Sequence, residues 1–282
     1  MLLCVDVGNT QIALGLYEDT SPDDPHPPLV RDWRMRTDRR ITADELEVAF
    51  GGLLGRYADQ VTGVAALSTV PSLLRELKLL IDRSGAPHVM VGPGVRTGVP
   101  LLVDNPREVG ADRVVNTLAA HRLYDTACIV VDFGTSTNID VVSAKGEFLG
   151  GALAPGIEIS MDALATRAAA LRSVELVRPR SVIGKNTVEC LQAGVLYGFA
   201  GQVDGLVRRI LAELGPKAGR VTVLGTGGLA PLMMGESETI TEYVPDLTLL
   251  GLRLVYLRNA RTTSVTTGSS NPPAEVSGRP AR

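Results

Sequence analysis

The chain of 282 residues is short of nearly everything from which a metal centre, a redox site or a hydrolytic triad is assembled. Its three cysteines, Cys4, Cys128 and Cys190, have none of the close pairing that zinc sites and thiol redox motifs require, and all three are expected to be reduced and structural. His26, His88 and His121 are equally scattered, which leaves little for a histidine metal cluster or a Ser-His-Asp arrangement. There is no excess of basic charge: a net charge of −3 provides no electrostatic footprint for nucleic acid, so none is expected as a partner. No apolar run approaches a membrane span, and Met1 to Asp6 lacks a basic segment and reaches a carboxylate too early for a secretory signal. No membrane partner and a cytoplasmic location are therefore expected. A P-loop is also missing, and Gly225, Gly227 and Gly228 lie too far downstream for a first-strand dinucleotide fingerprint.

What is present is an ordinary globular balance, 45% hydrophobic and 21% charged, in a chain long enough for two domains. Leu2 to Val7 and Ile12 to Tyr17 are short apolar runs split by Gly8-Asn9-Thr10-Gln11, the pattern of a β-hairpin with a tight polar turn. The proline-rich stretch Thr20 to Pro28 cannot sit inside a sheet, so it is a surface loop before a third strand near Val30 to Arg36. Thr42-x-x-Glu45 is a capping box, and Leu46, Ala49, Phe50, Leu53 and Leu54 follow it at helical spacing. A strand is expected at Val61 to Leu67. A helix with Pro71 in its first turn and a stripe of Leu73, Leu74, Leu77, Leu80 and Ile81 comes next, before a strand at His88 to Val91. Beyond the Gly- and Pro-rich segment Gly92 to Pro106, a helix begins close to Gly110 and runs towards Tyr124.

The pattern then restarts. Ala127 to Phe133 and Asn138 to Val142 form a second hairpin, Glu147 to Gly151 a third strand, and helices follow at about Ile157 to Leu171 and Val188 to Leu214. A strand at Val221 to Leu224 and a helix near Leu247 to Arg258 complete the order. An offset of 126 positions lays Asp6 on Asp132, Gly8 on Gly134, Asn9 on Thr135 and Thr10 on Ser136, with apolar residues flanking both copies in register. The reading is an α/β fold built from a duplicated β-β-β-α-β-α-β unit, with one lobe over 1–115, a second over 116–261 and an active-site cleft between them. Residues 262–282 have too few apolar side chains to offset ordering entropy and read as a disordered tail.

The repeated signature Asp-x-Gly-[Asn/Thr]-[Thr/Ser] carries the chemistry. Its glycine allows close backbone approach, its amides and hydroxyls can hold phosphate oxygens, and its aspartate can organise hydrated magnesium. One copy is equally an ordinary hairpin turn; two copies point to ATP-dependent phosphoryl transfer to a small molecule. Leu224-Gly225-Thr226-Gly227-Gly228 fits an adenosine shelf or a plain strand-to-helix turn. In Gly110-Ala111-Asp112-Arg113, Asp112 can accept an alcohol proton and Arg113 can hold an anionic group. Asp112 can equally complement a helix dipole and Arg113 pair with Glu108.

Five segments together resemble a known family: Asp6-Val7-Gly8-Asn9-Thr10, Asp104 to Arg113 (Asp-Asn-Pro-Arg-Glu-Val-Gly-Ala-Asp-Arg), Asp132-Phe133-Gly134-Thr135-Ser136-Thr137, Gly150 to Gly156 (Gly-Gly-Ala-Leu-Ala-Pro-Gly) and Ile183-Gly184-Lys185-Asn186-Thr187. In order and spacing, over about Met1 to Arg258, they resemble the acetate and sugar kinase, heat-shock ATPase and actin superfamily, and more closely the type III pantothenate kinases. The resemblance implies two ribonuclease H-like lobes, a homodimer, and phosphorylation of the primary hydroxyl of pantothenate by ATP to 4'-phosphopantothenate, the opening step of coenzyme A synthesis. It implies that Asp6, Val7, Gly8, Asn9, Thr10, Gln11, Ile12 and Ala13 hold ATP phosphates, with magnesium at Asp6, and that Thr135 touches ATP. It implies Asp112 as general base, with Gly110, Ala111, Asp112 and Arg113 holding pantothenate, Arg113 facing its carboxylate and Thr187 as a second contact. Asp132 would bind the potassium or ammonium ion that the family requires.

One position departs from the family, which often has a tyrosine where this chain has Val103; losing that hydroxyl is worth one hydrogen bond, roughly 0.5–1.5 kcal/mol. Two other readings stand beside catalysis: a non-enzymatic regulator of the Bvg accessory factor type, and an ATPase of the actin or chaperone type with no alcohol acceptor.

Overall fold

The computed structural model describes residues 1–18, 24, 26–167 and 174–266, with side chains described up to residue 260. Two five-stranded sheets carry the fold. The first, ordered β3-β2-β1-β4-β5, uses β1 (Leu2–Val7), β2 (Gln11–Tyr17), β3 (Leu29–Arg36), β4 (Gly63–Ser68) and β5 (His88–Met90). The second, ordered β10-β9-β6-β7-β8, uses β6 (Ala127–Phe133), β7 (Ser136–Val142), β8 (Phe148–Pro155), β9 (Val221–Thr226) and β10 (Glu242–Tyr243). In each sheet the first three strands are antiparallel neighbours and the fourth runs parallel to the first. The duplicated unit is thus present in its topology, as two ribonuclease H-like sheets.

Helix boundaries follow local chemistry. α1 (Ala43–Leu54) begins at the Thr42 and Glu45 capping box, and both of its reciprocal bonds are formed. α2 (Pro71–Ser84) opens on Pro71 and ends at Gly85 in the left-handed conformation. Its Leu73, Leu77 and Ile81 recur four residues apart and are buried, each such side chain contributing about 1.5–3 kcal/mol. α3 (Ala111–Tyr124), α4 (Ile157–Arg167), α5 (Thr187–Leu214), the short α6 (Ala230–Met233) and α7 (Leu247–Thr266) complete the set. None of the described helices is long and apolar enough to cross a membrane.

Strand alternation assigns each sheet two faces. On β1, Leu3, Val5 and Val7 enter one core with Leu46 and Phe50 of α1 and Leu73 and Leu77 of α2. Leu2 and Cys4 face the opposite way and pack on Leu249, Leu252 and Val255 of α7. On the second sheet, Ile129, Val131 and Phe133 pack on Leu196, Ala200 and Val203 of α5, whereas Cys128 and Val130 meet Ala119 and Ala120 of α3 and Leu250 of α7. α3 and α7 therefore form a layer between the sheets. They cross closely, because a Cβ on Gly251 would stand 2.2 Å from the Val115 carbonyl oxygen. α3, from the first half, packs on β6 and β7, and α7, from the second half, packs on β1 and β4. The expected boundary at residue 115 falls inside α3.

Several expectations need correction. β8 runs to Pro155 rather than Gly151, since β7 pairs with it as far as Ser136 opposite Pro155. α7 extends to Thr266, so the segment read as a disordered tail from residue 262 begins within a helix, while 267–282 lie outside the described residues. The last part of the helix expected to reach Leu171 also lies outside them. The Gly- and Pro-rich segment before α3 is tied to β8: the Phe148 amide donates to Pro100 O and Leu102 donates to Phe148 O, at 2.9 Å each. Cys4 and Cys128 are buried thiols, but Cys190 is exposed.

Candidate active site

Asp6 and Asp132 are the next-to-last residues of the corresponding strands β1 and β6, on the sheet faces that look towards the α3 and α7 layer. Their hairpin tips meet: Thr10 and Thr135 share a hydroxyl–hydroxyl hydrogen bond of 2.8 Å across 125 residues. The turns are not identical. Val7 pairs with Ile12 but Phe133 pairs with Thr137, so the second turn is one residue shorter and the register offset ends at the tip. In both, the glycine amide closes the turn at 3.0 Å, from Gly8 to Gln11 O and from Gly134 to Ser136 O. Thr37 Oγ1 donates to Gly8 O at 2.7 Å and Arg39 donates to Asn9 Oδ1 at 3.1 Å, which fixes the first turn from outside.

These tips form the walls of a cavity of about 270 Å³ that is lined by Asp6, Gly8, Asn9, Thr10, Gln11 and Ala13 from the first lobe. Asp132, Gly134, Thr135, Thr226, Gly227 and Gly228 line it from the second, and Asp112 enters from the first turn of α3. Val7 and Ile12 do not line it: both are wholly buried in the core beneath the turn, so only their backbones are near the site. Gly227 adopts φ +92°, and a Cβ there would stand 2.4 Å from Asp132 Oδ1, so the strand end can approach that carboxylate only as glycine.

Four carboxylates press on one another. Burial lifts Asp6 to about 7, and Asp112 and Asp132 add to the rise while Arg34 opposes it. Burial likewise lifts Asp132 to about 7, helped by Asp112 and Asp140. Asp112 is raised by burial and held back by the Arg113 amide, which donates to its Oδ1 at 2.9 Å, and by the Arg113 charge. Such mutual repulsion is what a cation relieves. Among the described residues no three acidic, histidine or cysteine side chains are placed to ligate one ion directly. The carboxylates that line the cavity fit magnesium, which keeps waters and takes one or two carboxylates beside phosphate oxygens.

Arg113 does not pair with Glu108. Its Nε and Nη2 both donate to Asp140 Oδ1, at 2.8 and 2.5 Å, and its guanidinium lies 5.1 Å over the Phe148 ring. Val103 packs beside that ring with Val99 and Val114. Asp140 is buried and was missed in the sequence. Its signal was the alternation Ser136, Asn138, Asp140 on one face of β7. Glu108 instead accepts from Asn105 at 2.6 Å. Gly110 caps α3, Ala111 packs against the α7 cluster, and Thr187 is the exposed first residue of α5. Gly110, Ala111, Arg113 and Thr187 are not among the residues lining the cavity around Asp112. Gly227 and Gly228 do line it, and so do Arg34, Asp246 and Thr248, which no motif contains.

A family model described as type III pantothenate kinase matches residues 2–209. A protein from Saccharopolyspora erythraea named type III pantothenate kinase is 72% identical over 262 residues, which cover 92% of this chain and 99% of that protein. Among solved structures, a conserved putative Baf family transcriptional activator from Campylobacter jejuni aligns with a TM-score of 0.56 at 15% identity, covering 92% of this chain and 99% of its own. The activator of 2-hydroxyisocaproyl-CoA dehydratase from Clostridium difficile, solved with ADPNP, aligns at 0.55 and 14% identity, covering 97% and 99%. At such identities these two likenesses concern fold alone.

Proposed function

The chain belongs to the type III pantothenate kinase family and phosphorylates pantothenate with ATP in coenzyme A synthesis, and we propose that it does so in the cleft between the two hairpins, with Asp112 as base. The observation that carries this assignment is the position of Asp112, on the first turn of α3 with its carboxyl in the cavity that both hairpins line. A carboxylate raised by burial is a better proton acceptor than an exposed one. The regulator reading has no support beside relatives named as kinases at such identity.

Asp6 and the turn Gly8 to Gln11 hold the phosphates, and magnesium bound at Asp6 supplies charge neutralisation for the transferring group. Asp132, flanked by Thr226 and Asn138, holds a potassium or ammonium ion through oxygen donors, and Thr135 meets ATP from the same tip. Gly110, Ala111 and Arg113 hold pantothenate, with Asp140 fixing the guanidinium and the Val103 and Phe148 surface in place of a tyrosine hydroxyl; Thr187 adds a contact from α5. A homodimer is consistent with exposed apolar side chains on the second lobe, among them Leu153, Ile159, Val182 and Ile183. An ATP-consuming biosynthetic step suits a cytoplasmic location.

A coupled assay with ATP, magnesium and pantothenate tests the reading. Asp112→Asn should lower kcat by ~10²–10⁴-fold while leaving affinity for ATP nearly unchanged; wild-type turnover in that variant would remove Asp112 from the role of base.

A further inference from the structure

Five acidic side chains line the cleft, Asp6, Asp112, Asp132, Glu158 and Asp246, and Arg34 is the one basic side chain lining it among the described residues. Its place there follows from strand register. Asp6 on β1 pairs with Ala13 on β2, and Ala13 pairs with Arg34 on β3, so the three form a row across one face of the sheet. Neighbouring strands lie about 4.8 Å apart, which sets the Arg34 backbone about 10 Å from that of Asp6. Only the methyl group of Ala13 stands between them. A long side chain at residue 34 can therefore reach over β2 towards the phosphate end of the cleft, and a bulkier residue 13 would block it.

Arg113 is paired with Asp140 and does not line this cavity, whereas Arg34 is exposed and has no ion pair among the described residues. The flanking residues of β3 confirm which way it faces: Trp33 and Met35 enter the opposite core beside α1 and α2. The corresponding row of the second lobe, Asp132, Asn138 and Leu153, ends in a leucine, so the cation belongs to the first hairpin only.

We infer that Arg34 is a catalytic residue of this kinase, whose guanidinium holds the non-bridging oxygens of the terminal phosphoryl group of ATP during transfer. The inference rests on the kinase reading. In the step it serves, the alcohol oxygen forms a bond to the terminal phosphorus as the bond from that phosphorus to the bridging oxygen breaks. ADP leaves with the electron pair and the alcohol proton passes to Asp112. The planar, permanently charged fork of arginine suits three equatorial oxygens better than a lysine point charge does.

The test compares full-length wild type with Arg34→Gln and Arg34→Lys, the exposed position making both compatible with folding, which thermal melts verify. Arg34→Gln should lower kcat ~10²–10³-fold with little change in the KM for pantothenate, and Arg34→Lys should recover only part of it. Calorimetry with magnesium and either a non-hydrolysable ATP analogue or ADP provides a readout apart from turnover. The variant should bind the analogue about tenfold or more weakly and ADP as wild type does. A wild-type kcat in Arg34→Gln overturns the inference. So does a rise in pantothenate KM alone, which would move Arg34 to the acceptor carboxylate, and so does equal weakening of analogue and ADP. If the wild-type protein forms no phosphorylated pantothenate, the kinase reading fails instead, and the analogue-to-ADP comparison still decides whether Arg34 holds a terminal phosphate.

Discussion

The two Asp-x-Gly hairpins occupy the same place in two copies of one sheet, yet the side chains beside their aspartates differ in kind. Across β4, β1, β2 and β3 the first row reads Leu67, Asp6, Ala13, Arg34. Across β9, β6, β7 and β8 the second reads Thr226, Asp132, Asn138, Leu153. In the first, a carboxylate has apolar neighbours and a guanidinium within reach, as the proposed phosphate and magnesium site needs. In the second, oxygen-bearing side chains flank the carboxylate on both sides, as the proposed monovalent-cation site needs. The repeat supplied two similar turns of different length; the neighbouring strands gave them different surroundings.

Exchanging each aspartate for its amide is the most severe way to break that comparison. Asp6→Asn should lower turnover at least ~10²-fold and raise the magnesium concentration needed for half-maximal rate, because the phosphate end loses its organising charge. Asp132→Asn should instead abolish the response to potassium. Titrations of rate against each ion, one at a time, check this. If both variants shift the same titration, the two hairpins share one job.

A smaller change probes the second hairpin through its backbone. Gly227→Ala forces a side chain into φ +92° and against Asp132. It should cost about 1–3 kcal/mol in urea unfolding and weaken the potassium response without changing the magnesium titration.

Proton linkage sharpens the comparison further. Without cations, folded Asp6 and Asp132 hold their protons up to about 7, whereas unfolded carboxylates release theirs near 4. The folded state binds more protons in that window, so stability should fall as pH rises from about 4 to about 7 and stay low above it. Urea midpoints at either end of the window measure the fall. Asp132→Asn should flatten it, and magnesium, which favours the ionised forms, should protect more at the alkaline end. A cation-free protein whose stability stays flat over the same window would show that the two carboxyls titrate normally.

The mildest prediction concerns the contact between the tips. Thr135→Ala removes a hydrogen bond that is partly open to water and should cost no more than about 0.5–1.5 kcal/mol. A larger loss in differential scanning calorimetry would mean that this pair holds the lobes together.

Much of this was legible in the residues because the interactions that set it are local. The capping box at Thr42, proline at the start of α2, the alternation in β1 and β6 and the paired turns each depend on neighbours within a few positions. What escaped was short or distant. β10 has two residues and α6 four, too few for any period to show. Asp140 meets Arg113 across 27 residues, and a carboxylate in an alternating strand looks like a solvated one until its partner arrives.

By itself, the sequence determined most strands, most helix limits, the repeat, the two Asp-x-Gly turns and the family to which they point, since periodicity, capping and turn chemistry are written in consecutive residues. Tertiary structure alone decided that α7 returns to the first sheet and that Asp140 anchors the Arg113 guanidinium. It also placed Arg34, which belongs to no motif, on the wall of the cavity. Periodicity states which face of an element is buried, but only the packed chain states what that face meets.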